Sequence, residues 1–192
     1  MGLPILVLGL VVFFAAHGFV TMRQARAGAI ARLGLNGYRA LFSLVSLAGL
    51  ALIVWGYAQY HGQAPQIWSP PAFMRHITIG LMLFAAIFFT AAFIPSHIKT
   101  KLKHPMLAGV KTWALAHLLV NGDLASILTF GAFLAWGVYA RIAAKKRGDA
   151  GSGVAPAGWT NDVVVVVVGI AVYLALGFIF HPYVIGMPVF GG

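Results

Sequence analysis

Apolar residues gather into six long runs along the chain, and short polar or basic segments separate them. The runs are Leu3–Val20, Leu41–Tyr60, Ile77–Ile94, Met106–Val120, Leu124–Tyr139 and Val163–Phe180. At a helical rise of about 1.5 Å per residue, runs of this length cross, or nearly cross, a hydrocarbon core of about 30 Å. We therefore expect an all-α membrane protein, a bundle of about six transmembrane helices that forms a single domain over residues 1–192.

Two local patterns refine this expectation. The valines at 163–168 would favour a strand in a soluble protein, but an open strand leaves its backbone polar groups unpaired in hydrocarbon, so we predict helix there. Asp123 ends a predicted tight turn and is placed to cap the fifth helix. Thr160, Asn161 and Asp162 are placed to cap the sixth in the same way.

The composition is that of a protein embedded in lipid, because 61% of the residues are hydrophobic and only 8% are charged. The formal net charge is +10, from 13 Lys and Arg against three acidic residues. The cations cluster between the apolar runs, so we expect membrane lipids rather than nucleic acid as their partner. The chain has no cysteine, which excludes disulfides and thiolate metal ligands.

The connections between the runs predict the orientation in the membrane. Basic residues follow the first, third and fifth runs: Arg23, Arg26, Arg32 and Arg39; Lys99, Lys101 and Lys103; Arg141, Lys145, Lys146 and Arg147. Because cytoplasmic connections carry the excess of Lys and Arg, both termini are predicted on the non-cytoplasmic side. Residues 148–158 are predicted to form a small-residue linker.

Histidines are the side chains with the clearest potential for ligand chemistry. His17 and His117 lie within apolar helices, where a polar side chain is costly and usually faces a bundle interior or a cavity. Two membrane histidines on different helices are what a b-type haem requires for axial ligation, although their predicted depths differ by about 9 Å. The alternative is structural: each imidazole, and Lys111 likewise, bonds to a neighbouring helix or reaches the interface.

The other five histidines have simpler interpretations. His61, His76 and His181 lie at predicted helix ends or in the outer loop, where an interfacial or capping role is expected. His97 and His104 flank the basic segment after the third run, which we interpret as an anchor to anionic lipid head groups.

Several motifs resemble the NnrU family of bacterial membrane proteins, and the resemblance covers nearly the whole chain. The most specific are Lys103-His104-Pro105-Met106 and Trp113-Ala114-Leu115-Ala116-His117-Leu118-Leu119, supported by Trp55-Gly56-Tyr57 and the in-helix His17. The resemblance implies a multi-pass protein of the bacterial inner membrane, linked to nitric oxide and nitrite metabolism in denitrification. The family is also similar to the plastid 15-cis-zeta-carotene isomerase, a haem b enzyme whose ligand histidines match His17 and His117.

Three functional hypotheses follow. The first is a haem b-binding protein in which His17 and His117 are the metal ligands, while Arg39, Lys103, His104 and Lys111 are candidate cofactor-binding residues. The second is a haem-dependent cis-trans isomerase of a lipophilic polyene; Ala114 stands where the plastid enzyme can use a cysteine, so a switch to that ligand cannot operate here. The third is a cofactor-free structural or transport partner, with Lys111 paired to Asp123 or to an anionic solute.

Overall fold

The computed structural model describes residues 1–151 and 158–190, and this part of the chain is helical throughout apart from connections and one isolated bridge. Its α-helices are α1 Gly2–Phe19, α2 Arg23–Tyr60, α3 Met74–Phe93, α4 His97–Leu102, α5 Pro105–Leu118, α6 Leu124–Lys146 and α7 Thr160–Ala175. A π-helical segment, Leu176–Ile185, continues α7. Residues 152–157 of the predicted linker lie outside the described residues.

Within residues 1–151 and 158–190, five helical stretches are long and apolar enough to cross a membrane, which confirms a multi-pass membrane protein. The valine run lies within α7, so the helix predicted there is confirmed. The fourth predicted span is also a helix, α5, but it has 14 residues and is only about 21 Å long. It therefore falls short of the roughly 30 Å hydrocarbon core.

The chain divides into two compact units. The first comprises residues 1–70 and 121–136, and the second comprises residues 71–120 and 137–192. The single domain expected over residues 1–192 stays a prediction.

In the first unit, α1 packs along the membrane part of α2. Glycines allow the two backbones to approach closely: a Cβ on Gly49 would lie 2.8 Å from the backbone nitrogen of Phe13. Leu6, Leu10 and Ile53 form the buried apolar cluster of this unit together with Ala125 of α6. Small residues at close helix contacts are typical of membrane bundles, because packing there replaces the hydrophobic effect.

The basic segment after α1 is helical rather than a loop, since α2 begins at Arg23. A kink separates this segment from the membrane part of α2. The kink lies at Gly34, whose φ of 70° and ψ of 163° fall in a region that is essentially restricted to glycine. The absence of a Cβ at Gly34 therefore sets where the basic helix ends and the apolar helix begins.

Asp123 caps α6, as predicted. Its Oδ1 accepts a hydrogen bond from the backbone N–H of Ser126 at 2.9 Å, and His61 Nδ1 lies 3.2 Å from the same oxygen. Burial alone would raise the pKa of the Asp123 carboxyl, but the hydrogen bonds from Ser126 and the approach of His61 outweigh it and lower the pKa. Asp123 thus pairs with His61.

In the second unit, α3 packs against both α5 and α7. The contacts again use small residues: a Cβ on Gly109 of α5 would lie 2.9 Å from the ring of Phe89, and one on Gly169 of α7 would lie 2.9 Å from the Cα of Ile87. Helix α3 is therefore the element on which the two others are positioned.

The capping role predicted for residues 160–162 is wrong, because Trp159 is the N-cap of α7 and no side chain caps it. Asp162 instead crosses to the start of α4. Its carboxylate accepts hydrogen bonds from the backbone N–H groups of His97 and Ile98, at 3.3 and 2.9 Å, and lies 2.8 Å from His97 Nδ1. The first N–H groups of a helix lack intrahelical acceptors, so this carboxylate satisfies donors of α4 rather than of its own helix.

Candidate functional site

His17 lies in the last turn of α1, within the first unit. Its Nδ1 is 2.8 Å from the carbonyl oxygen of Phe13, one turn earlier. A carbonyl can only accept a hydrogen bond, so Nδ1 carries the proton and the lone pair of the neutral ring is on Nε2. The ring stacks on Phe13 at 4.1 Å and contacts Phe42 and Trp136 at 5.2 and 5.3 Å between centroids. His17 is thus a fixed imidazole in an aromatic surrounding.

His117 lies one residue before the end of α5, within the second unit, and repeats this arrangement. Its Nδ1 is 2.9 Å from the carbonyl oxygen of Trp113, which again places the neutral lone pair on Nε2. The hydroxyl of Thr78 on α3 donates to the carbonyl of Ala116 at 2.9 Å and ties this end of α5 to α3. Ala114 is fully buried, so neighbouring chain covers the helix at that position.

His181 lies in the π-helical segment and faces His117. The ring centroids of the two histidines are 6.3 Å apart and their planes differ by 27°. The Nδ1 of His181 is 2.8 Å from the carbonyl oxygen of Leu176, five residues earlier, which places its neutral lone pair on Nε2 as well. Pro182 follows inside the segment and lacks the N–H that a regular helical ladder needs.

Sequence reasoning missed this pairing, because it assigned His181 an interfacial or capping role. A signal was present: Pro182, two residues after the last apolar run, predicts an interrupted helix there, and π-helical turns occur frequently at functional sites. The partner of His181 was not readable, since it comes from α5, more than sixty residues earlier in the chain.

Lys103 and His104 come together at the start of α5. Lys103 has a φ of 64°, and the N–H of His104 donates to the carbonyl of Leu102 at 2.7 Å, which closes a tight three-residue turn. Both residues line a groove of about 350 Å³ with Lys99 and Asp149. His104 and His117 are thirteen residues apart on this helix, about 20 Å along its axis. The structure therefore groups Lys103 with His104 but not with His117.

The two remaining candidate residues lie elsewhere. Lys111 is on α5, and its side-chain stem lies over Gly137 of α6, where an added Cβ would be 2.8 Å from the Cγ of the lysine. Arg39 is an exposed residue of α2 in the first unit, just beyond Tyr38. Neither residue contributes to the pair formed by His117 and His181.

The sequence model of the NnrU protein family matches residues 5–189. The chain belongs to the NnrU family. No curated protein and no solved structure matches it significantly. The NnrU match spans residues of both compact units and includes His17, His117 and His181.

Proposed function

We propose that this NnrU family protein binds haem b within the membrane, with His117 as an axial ligand. The observation that carries the proposal is the hydrogen bond between His117 Nδ1 and the carbonyl oxygen of Trp113. Metal-bound histidines are usually held by such a bond from the second ring nitrogen, which fixes the tautomer and the ring orientation. His117 is therefore prepared to offer Nε2 to a metal.

The donor chemistry of the chain suits haem iron. The protein has no cysteine. The described residues contain no group of three or more His, Cys, Asp or Glu side chains that could hold a bare metal ion. Imidazole nitrogens in an apolar setting are the usual ligands of b-type haem. The resemblance implies His17 as the second ligand, and its ring is held in the same way as that of His117.

The role that family membership supports is in nitric oxide or nitrite metabolism, as a sensor, an electron carrier or a maturation partner in the bacterial inner membrane. When bound, haem iron supplies diatomic-gas binding and one-electron transfer. The hydrogen bond from each Nδ1 fixes the orientation of its own ring, and Phe13, Phe42 and Trp136 contact the half-buried ring of His17.

The isomerase alternative gains little from the cavity next to His17. This apolar cavity of about 200 Å³ is lined by residues that include Ala16, Tyr38 and Phe42. Pockets for larger organic ligands are usually about 300–1,000 Å³, so this one is small for a polyene. Conversion of a cis-carotene by the reduced, haem-loaded protein would establish the isomerase activity.

The test uses full-length protein purified in detergent after haem supplementation. We expect a Soret band in the wild type, its loss in His117→Gly, and its recovery when imidazole is added to that variant, because free imidazole can replace the missing ring. His76→Gly is the matched control, since His76 is an exposed histidine at the start of α3. A wild type without a Soret band would reject haem binding, and a ferrous spectrum that does not change with nitric oxide would reject the nitric oxide role.

A further inference from the structure

We propose that the groove at the start of α5 binds the head group of one phosphatidylglycerol molecule. Lys99 and Lys103 of this groove hold the phosphate, and Asp149 accepts hydrogen bonds from the glycerol hydroxyls. His104 in the groove is about 20 Å along α5 from His117, so this lipid site is separate from the proposed haem ligand and does not depend on it.

The two lysines of the groove are one helical turn apart. The backbone N–H of Lys103 donates to the carbonyl of Lys99 at 3.0 Å, and both side chains line the groove. The Lys99 ammonium is held in place, because its Nζ donates to the carbonyl of Ala92 in α3 at 2.8 Å. An ammonium has three N–H donors, and this bond uses one of them. Lys99 is therefore a cation with little freedom to lose when a phosphate binds.

The chain that follows α6 brings a carboxylate to the same groove. Gly151 has a φ of 79° and donates its N–H to Asp149 Oδ1 at 2.9 Å. A Cβ at Gly151 would overlap the carbonyl of Lys103, so the glycine allows this segment to lie directly on the turn before α5. His104 Nε2 is 3.4 Å from the carbonyl oxygen of Asp149. The groove thus has two lysines and one carboxylate, which leave one net positive charge when His104 is neutral.

This combination of charges favours one class of head group. One net positive charge matches the single negative charge of a phosphodiester. A carboxylate can only accept hydrogen bonds, so the ligand group beside Asp149 must be a donor, and the glycerol hydroxyls are donors. Ethanolamine also donates, but its ammonium cancels the net charge of the lipid. Phosphatidic acid offers no glycerol head group and adds negative charge beside Asp149.

The remaining wall of the groove is apolar, which favours a lipid over a soluble phosphate ester. Ala92, Pro105 and Met106 line it. Met106 is 40% exposed, and Phe93, next to Ala92 in the chain, is 76% exposed. The volume of about 350 Å³ is near the lower end of the range of about 300–1,000 Å³ for small-molecule sites. A head group therefore fits inside, while the acyl chains lie outside along these exposed apolar side chains.

The test titrates full-length, delipidated protein in detergent with short-chain phosphatidylglycerol and counts bound lipid by native mass spectrometry. We expect one tightly bound phosphatidylglycerol per wild-type chain. Lys103→Gln should weaken this binding roughly tenfold, because it removes a charge-assisted hydrogen bond, and Lys103→Arg should retain it. Lys101→Gln is the matched control, since Lys101 is an exposed lysine of α4 that does not line the groove. It should bind as the wild type does.

Equal weakening in Lys101→Gln and Lys103→Gln would overturn the site, because it would show a diffuse attraction between the basic segment and anionic lipid. The choice of lipid is tested on the wild type and does not depend on the folding of any variant. Phosphatidylethanolamine or glycerol 1-phosphate binding as tightly as phosphatidylglycerol would contradict the assigned ligand. Asp149→Ala should bind phosphatidic acid as tightly as phosphatidylglycerol, and a preference that persists in this variant would contradict the role of Asp149.

Discussion

The kink in α2 yields a prediction that depends on one backbone conformation. An added Cβ would meet nothing within 4 Å at Gly34 or at Gly28 in the same helix, so neither alanine substitution creates a clash. The two sites differ in backbone: Gly34 has a φ of 70°, whereas Gly28 has helical angles. Gly34→Ala should therefore be destabilised by strain alone, and Gly28→Ala should be stabilised.

The magnitudes follow from these angles. Holding alanine in the region occupied by Gly34 costs about 1–3 kcal/mol, and replacing a helical glycine by alanine contributes about 1 kcal/mol. The free energies of unfolding of the two variants should thus differ by about 2–4 kcal/mol. At about 3 °C per kcal/mol for a chain of this size, their Tm values should differ by about 6–12 °C. Thermal unfolding in detergent measures this, and equal Tm increases in both variants would refute the assigned kink.

Further predictions concern caps and helix contacts. Asp123→Ala should lower the free energy of unfolding by about 1 kcal/mol at neutral pH, because it removes the cap of α6. The pKa of Asp123 is lowered in the fold, so its contribution to the free energy of unfolding is present above about pH 4 and is lost as the pH falls further. If the free energies of unfolding of Asp123→Ala and the wild type still differ by the same amount at lower pH, this account is contradicted. Asp162→Ala should lower the Tm more than Asn161→Ala. The Asp162 carboxylate binds three donors of α4, whereas Asn161 makes one exposed hydrogen bond. A similar decrease in Tm in both variants would contradict a stabilising contact between Asp162 and α4. Gly49→Leu should separate α1 from α2 and lower the Tm strongly, whereas an unaffected Tm would show that these helices do not touch near Phe13.

Most of the fold was predictable because hydrocarbon leaves few choices for the backbone. The six apolar runs all became helical, and Asp123 caps the helix that directly follows it. The capping role predicted for Asp162 was wrong. The residue lies in the first turn of α7, but its carboxylate binds the start of α4, which is distant in the sequence. The short length of α5 was readable from the sequence, because its apolar run, Met106–Val120, is the shortest of the six and ends just before the predicted turn.

The candidate site was predictable only in part. A histidine in an apolar run is unusual by itself, so His17 and His117 could be selected from the sequence. His181 could not, because its ring orientation arises from the π-helical turn and its contact with His117 requires both α5 and α7 to pack on α3. Such contacts are properties of the tertiary structure.

The most direct test of the haem proposal is the haem b content per chain of purified, haem-supplemented protein, measured as the pyridine haemochrome. The wild type and His76→Gly should contain stoichiometric haem b, and His117→Gly should contain almost none. Equal haem content in His117→Gly and in the wild type would contradict the assignment of His117 as an axial ligand.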